Sequence, residues 1–318
     1  MRGVQAELPP PWTPVRLVSD PGRTPLVTWE FSLAGLLVGV LVGMTGMGGG
    51  SLMTPILILL FNFNAKVAIG TDILHGAIFK TLGAIRHRQL GTVHARLGLW
   101  MLCGSAPLSL LGVEAARAIS DSSMTTMQKV VGGALVVGGL GFLAKTFVRA
   151  RADRPFAVLS RRDKIVAFAI GAVGGFVVGM TSVGSGTFFG LAMLFAYPIT
   201  SRRMVGTDMF HAAALLWVAG VSHLVHGDVD THAMRWLLVG SIPGVLIGSH
   251  LSVRVPDREL RVAFGVILVL SGIKLVAVPY ASWIIVGALI VGVVALSVWG
   301  IKWLRRPRPP VVSSSSQA

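Results

Sequence analysis

The chain has little cysteine and little charge. Cys103 is its single cysteine in 318 residues, so neither an intrachain disulfide nor a cysteine-based metal site can form. Charged residues make up 13%, where a soluble domain carries about 25%. Acidic residues are the scarcer sign, 13 Asp and Glu against 28 Lys and Arg. The resulting +15 suggests nucleic acid at first sight. The basic residues sit in short loops between apolar runs, however, where they orient a chain against a bilayer, and no nucleic-acid partner is expected. A Walker A run is also missing, which excludes an ATPase motor of that kind.

Apolar residues are abundant: 53% are hydrophobic, 39 are glycine, and the mean hydropathy is +0.75. This balance describes a multi-pass protein of the cell membrane, all-α, with glycine where helices pack closely in lipid. Residues 1–26 hold Pro9, Pro10, Pro11, Pro14, Pro21 and Pro25 without an apolar core. They read as a retained flexible leader and not as a cleaved signal. Apolar segments follow at 27–44, 51–61, 67–85, 97–112, 129–148, 165–180, 188–197, 204–222, 236–253, 261–279 and 282–304. The organisation expected is a membrane repeat over 27–148, a basic linker 149–164, a second repeat over 165–280, an extra helix 281–304 and a disordered tail 305–318.

The repeat is in the residues themselves. Gly43–Gly112 recurs at Gly179–Gly248, a shift of 179 − 43 = 136, and 20 of the 70 aligned positions are identical without a gap. Gly43-Met44-Thr45 returns as Gly179-Met180-Thr181, Gly70-Thr71-Asp72 as Gly206-Thr207-Asp208, and His75 and His87 as His211 and His223. Gly104-Ser105-x-Pro107 returns as Gly240-Ser241-x-Pro243, expected to break its helix at the proline. Charges in matching loops alternate. The 86–96 loop carries Arg86, Arg88 and Arg96, whereas 222–232 carries Asp228 and Asp230. The 113–128 loop sets one arginine against Glu114 and Asp121, whereas 252–261 carries Arg254, Arg258 and Arg261. Positive loops stay cytoplasmic, so the halves are expected to be inverted, with 86–96, 149–164, 198–203, 252–261 and the C-terminus inside. A duplicated membrane unit with glycine-rich breaks in matching places is the pattern of a secondary transporter.

Those breaks are the candidate substrate site. Segments 51–61 and 188–197 are too short to span, and each follows a glycine run. Each pair reads as a re-entrant hairpin or as one broken helix, tolerated at membrane depth where it is buried in protein or lines a wet cavity. Half-helix ends expose N–H groups and a positive dipole end, which suits a small anion. The residues are Thr45, Gly48, Gly49, Gly50 and Ser51 in the first break, and Thr181, Ser182, Gly184, Ser185, Gly186 and Thr187 in the second. Glycines that merely let helices pack are the bland alternative.

Thr71-Asp72-x-x-His75 and Thr207-Asp208-x-x-His211 are the candidate coupling groups, since an Asp and a His three apart share a helix face and intramembrane ionisable residues are costly. A proton is the expected coupling ion. The competing reading makes each Asp a cap near residue 70 of its own helix. Lys80, opposite Leu216 in the repeat, attracts an anion, pairs with Asp72 or snorkels to the interface. His87 and His223 are accessory or gating groups, or inert interfacial histidines. No catalytic residue, metal or cofactor is expected; the partners are a small anion, the bilayer and, as a candidate, a second copy of the chain.

Taken together, the run Gly46–Gly50, the Ile-Gly-Thr-Asp and Val-Gly-Thr-Asp entries at 69–72 and 205–208, the Gly-x-Val at 91–93 and 227–229 and the Gly-Ser-x-Pro sites resemble the sulfite exporter TauE/SafE family. The resemblance covers about residues 30–280. It implies an integral membrane permease linked to export of sulfite, sulfonates or related sulfur anions. Many members carry Ser where Asp72 and Asp208 stand, a departure that bears on substrate and coupling ion. Competing functions are a permease for another small anion or metabolite, a passive channel, and an intramembrane hydrolase with Ser185 as nucleophile and His211 as base.

Overall fold

The computed structural model describes residues 28–45, 50–147, 159–251 and 257–277. The leader 1–26, residues 46–49 of the first glycine run, linker residues 148–158, loop residues 252–256, the expected helix 281–304 and the tail lie outside them. The described residues form α1 (Thr28–Thr45), α2 (Gly50–Leu59), α3 (Ala65–Gln89), α4 (Ala95–Ser122), α5 (Met124–Phe147), α6 (Arg161–Thr181), α7 (Phe188–Ala196), α8 (Ser201–Val225), α9 (Thr231–Leu251) and α10 (Asp257–Leu275). No strand occurs among them. In lipid a helix satisfies its own backbone, which is why an apolar chain takes this form. Four helices are long and apolar enough to cross a membrane: Ala95–Ser122, Met124–Ala144, Arg161–Thr181 and Arg202–Val225.

Helix starts follow side-chain chemistry. The Asn64 side chain accepts from the Lys66 N–H to open α3, and Thr200 accepts from Arg203 to open α8. Ser160 and Asp163 form a reciprocal capping box, so α6 begins at Arg161, four residues before the expected 165. The expected proline breaks are absent. Both α4 and α9 run on through Pro107 and Pro243. Membrane helices tolerate such prolines because neighbouring groups satisfy what the ring frees.

The 136-residue shift maps α3 onto α8 residue for residue, since 65 + 136 = 201 and 89 + 136 = 225. Packing crosses between repeats. Helix α1 lies parallel to α9, and α6 parallel to α4, along ladders of glycine. A Cβ at Gly39 would sit 2.5 Å from the Ser241 carbonyl oxygen, and one at Gly244 2.5 Å from that of Leu36. Backbones this close need glycine, the small-residue packing of membrane helices. By contrast, α3 and α8 run antiparallel. Gly70 near the start of α3 meets His223 in the last turn of α8 and Asp228 just beyond it, and Gly83 meets Met209 near the start of α8. Helices α5 and α10 are antiparallel too, with Gly132 on Gly272 and Gly139 on Gly265.

These contacts define two ends of the bundle. At one end the α3–α4 loop meets the start of α8 through Thr92 and Gly206. Lys164 of α6 lies 5.6 Å over the Trp100 ring of α4 there, and Tyr197 Oη donates to the Asp163 carbonyl at 2.7 Å. Arg86, Arg88, Arg96, Arg161, Arg162, Arg202 and Arg203 gather at this end. The Tyr197–Asp163 bond also shows that α6 and α7 start and finish together. At the opposite end Phe31 of α1 stacks on Phe61, just past α2, with centroids 4.6 Å apart. Thus α1–α2 likewise returns to where it began. The acidic end carries an ion-pair network: Lys66–Asp121 at 2.8 Å, Lys66–Asp228 at 3.6 Å, Arg117–Asp228 at 3.3 Å and Arg117–Glu114 at 3.2 Å. Between the ends, Met53, Leu57, Ile69, Ile73, Met101 and Phe189 form a fully buried core, while Leu37, Leu111, Val137 and Val173 stand exposed. Exposed apolar side chains along helices are what a lipid solvent permits.

Candidate functional site

The second glycine break is a tight, buried turn. Helix α6 ends at Thr181, Ser182 takes φ 62°, and Gly184 and Gly186 take φ 115° and 104° before α7 opens at Phe188. Only glycine adopts the last two angles without strain. Ser182, Ser185 and Thr187 are all buried. The Thr181 hydroxyl is spent locally: it donates to the Val177 carbonyl at 2.7 Å and accepts from the Val183 N–H at 3.2 Å. Thr187 Oγ1 is buried without a partner, and with Thr181 and Gly184 it borders a largely apolar cavity of about 590 Å³ against α5. In the first break, Thr45 closes α1 and Gly50 and Ser51 open α2; Gly48 and Gly49 lie outside the described residues.

Asp72 joins the two halves. It sits in the second turn of α3, whose cap is Asn64, so it does not cap its own helix. Its Oδ2 accepts from the Thr54 N–H at 3.1 Å, from Thr54 Oγ1 at 2.5 Å and from Ser182 Oγ at 2.8 Å. The carboxylate thus seats the first turns of α2, where a helix dipole favours negative charge, and reaches the second break. Lys80 does not snorkel. It is fully buried, and its Nζ donates to Ser185 Oγ at 2.6 Å. Asp72 and Asp208 both lie within electrostatic reach of its ammonium.

Two further sets of polar contacts are reciprocal between the repeats. His75 Nε2 and Ser241 Oγ are 2.9 Å apart; His211 Nε2 and Ser105 Oγ, their counterparts under the shift, are 2.8 Å apart. Thr71 Oγ1 accepts from the Asp230 N–H, and Thr207 Oγ1 from the His94 N–H, each at 2.9 Å. Each repeat therefore supplies a hydroxyl or a backbone group that the other needs. Ser105 and Ser241 did not stand out in the sequence, where they looked like parts of proline kinks; the available signal was a hydroxyl repeated in register inside apolar helices. Thr54 has glycine, Gly190, in the second copy and gave no signal at all. The Ser185–His211 pairing that a hydrolase would use is not formed, since Lys80 holds the serine and Ser105 the histidine.

His87 belongs to the basic end, with Nδ1 2.9 Å from Thr92 Oγ1. His223 is more than an interfacial residue. It is fully buried, donates from Nε2 to the Gly179 carbonyl at 3.3 Å, and places Nδ1 3.8 Å from Asp228. It thereby ties the acidic network to the last turn of α6. In that network Lys66 holds the exposed Asp121 carboxyl below its ordinary range, by hydrogen bond and then by charge. Beside Asp72 lies a cavity of about 10 Å³ lined by Val38, Gly39, Val42, Met53, His75, Gly76, Phe79 and Ser241.

Comparison with known proteins points to a family of membrane transporters. The family described as sulfite exporter TauE/SafE matches residues 31–275. The chain is 36% identical over 249 residues to the probable membrane transporter protein YjnA of Bacillus subtilis (strain 168), covering 77% of this chain and 98% of that one. It is 25% identical to YdhB of the same organism, also named a probable membrane transporter protein, over 75% of this chain and 96% of the relative. The probable membrane transporter protein MJ0441 of Methanocaldococcus jannaschii is 24% identical, over 76% and 92%. No solved structure matches the chain.

Proposed function

The chain belongs to the sulfite exporter TauE/SafE family of membrane transporters, and we propose that this member exports a small sulfur-containing oxyanion such as sulfite or a sulfonate by proton-coupled alternating access. The observation that carries the reading is Lys80. An ammonium buried at the meeting of the repeats, held by Ser185 of a glycine break and faced by two carboxylates, is a counter-charge an anion can exchange into. The two halves are inverted in the membrane, with α1–α2 and α6–α7 as re-entrant pairs whose glycine turns meet at the centre. Support comes from equivalent helices running antiparallel, α3 against α8 and α5 against α10, and from the grouping of basic residues at one end. That end is cytoplasmic by the charge rule, and the membrane is the cell membrane.

The substrate set is the second turn together with its counterpart over 45–51, with Lys80 as the charge. Asp72 and Asp208 are the coupling carboxyls, with the paired His75 and His211 able to take or give the proton. A direct test combines a binding screen of sulfite, sulfonates, sulfate, carboxylates and phosphate on purified protein with flux in proteoliposomes under an imposed pH gradient. Concentrative, pH-driven movement of a sulfur oxyanion is expected. Equilibration without accumulation would mark a passive channel and overturn the coupled reading.

A further inference from the structure

The two Asp–His sites match in sequence but not in the space around them. In the first repeat Asp72 is 1% exposed, and its Oδ1 has no hydrogen-bond partner. It borders the cavity of about 10 Å³ that also touches His75 and Ser241, a volume that admits about one water. The rest of the lining is apolar or glycine: Val38, Gly39, Val42, Met53, Gly76 and Phe79.

Under the 136-residue shift the lining changes at four places. Met53 becomes Phe189, Gly76 becomes Ala212, Val38 becomes Gly174 and Phe79 becomes Leu215. Phe189 is fully buried, and its ring lies edge-on to His211 at 4.5 Å between centroids. Gly174 makes room for it, since a Cβ there would lie 2.6 Å from Phe189 Cζ. An aromatic ring in the second repeat thus packs on the histidine from the position of Met53, and Ala212 adds a methyl at the position of Gly76.

We propose that the cavity of the first repeat is a binding site for one water molecule, bridging Asp72 Oδ1 to the His75–Ser241 pair and serving as the single proton relay of the transporter. The step is a transfer. The protonated Asp72 carboxyl gives its proton to the water, the water gives a proton to the His75 imidazole, and the products are an Asp72 carboxylate, an imidazolium and the same water. Ser241 Oγ accepts from Nε2–H of that imidazolium at the 2.9 Å separation already present. The charges facing Asp72 are few. Lys80 is on its own helix, with Asp208 of α8 near the same ammonium; Thr54 of α2, Ser182 after α6 and Ser241 of α9 present hydroxyls, and α1 presents Val38 and Val42. In the second repeat Phe189 packs on His211, and there the Asp and His serve the structure and the field around Lys80.

This inference rests on the proton-coupled reading above, and its test carries a readout independent of transport. The full chain is reconstituted in lipid and compared with the double variant M53F/G76A, which places the bulk of Phe189 and Ala212 at the matching positions of the first repeat. Infrared difference spectra between acid and alkaline states, recorded in normal water and in water of heavy oxygen, detect an isolated bound water by its isotope-sensitive O–H stretch. The wild type is expected to show the band; the variant is expected to lose it and to lose at least tenfold in pH-driven sulfite accumulation, while sulfite exchange at equal pH continues. Gly76→Ala alone gives a milder filling if the double variant does not fold, and His75→Gln is expected to keep the band while losing accumulation. No isotope-sensitive band in the wild type overturns the proposal, as does full pH-driven accumulation in a variant that has lost the band. Accumulation that follows a sodium gradient in place of a proton gradient overturns the relay. Absence of any anion flux in the wild type overturns the transport reading instead, and leaves the water site to be decided by the band.

Discussion

Replacing Lys80 by methionine isolates the charge at the meeting of the repeats. Methionine keeps an unbranched stem in the buried space but removes the donor to Ser185 and the charge within electrostatic reach of Asp72 and Asp208. Lys80 is the one buried Lys or Arg among the described residues, so no nearby substitute takes over. Two losses follow. A hydrogen bond to a charged group contributes about 1.5–3 kcal/mol, so an oxyanion that relies on the ammonium should bind roughly 10- to 150-fold more weakly. Leaving the buried Ser185 hydroxyl without its Lys80 donor costs about 1–3 kcal/mol of stability, a drop in thermal midpoint. Ser185→Ala separates the effects: it retains the charge, so anion binding should fall by less than in Lys80→Met. Calorimetric titration of sulfite into detergent-solubilised protein, with thermal unfolding of each variant, measures both. A Lys80→Met protein with wild-type affinity and wild-type unfolding would reduce Lys80 to an inert filler and refute the reasoning.

Three further outcomes are expected. In a Cys103→Ser background, single cysteines at 92 and 228 should label from opposite sides of the membrane; labelling of both from one side would sink the inverted arrangement. Gly244→Val should lose most folded protein because its Cβ meets the Leu36 carbonyl, whereas Gly133→Ala, with nothing within 4 Å, should be neutral or slightly stabilising; comparable losses in both would contradict the ladder packing. The Lys66–Asp121 pair depresses a carboxyl, so its contribution is present above the ordinary value of about 4 and lost only as pH falls below it. Lys66→Met should therefore shift the unfolding midpoint equally at pH 7 and pH 5.

Long apolar segments, their duplication and the glycine-rich turn before α7 were legible because composition and spacing act locally. The equivalence of α3 and α8 was visible for the same reason: a polar Gly-Thr-Asp entry inside an apolar run repeats in register. What the sequence hid was pairing across repeats. His75 finds Ser241 and His211 finds Ser105 over separations of 166 and 106 residues, and nothing in local spacing names such a partner. The competing reading of Asp72 as a cap of its own helix fails because Asn64, a quieter signal than an aspartate after glycine, already caps it; the carboxylate serves α2 instead. The burial of Lys80 was illegible because its counterpart is Leu216, so repetition offered no clue. The unbroken course of α4 and α9 through proline depends on neighbours, not on the Gly-Ser-x-Pro pattern.

The parallel docking of α1 on α9 has a consequence for biosynthesis. Gly35 must lie against Leu237, a residue that leaves the ribosome only after the intervening chain has been made. At about 5–20 residues per second that interval is roughly 10–40 s. Helix α6 waits far less, because α4 precedes it and Gly171 finds Met101 already in place. The nascent protein therefore passes through a stage in which one glycine ladder is closed and the other, on α1, lies open in the membrane. Neither repeat holds the partner of its own first helix, so a chain cut within 148–158 should regain its fold only when both pieces are made together.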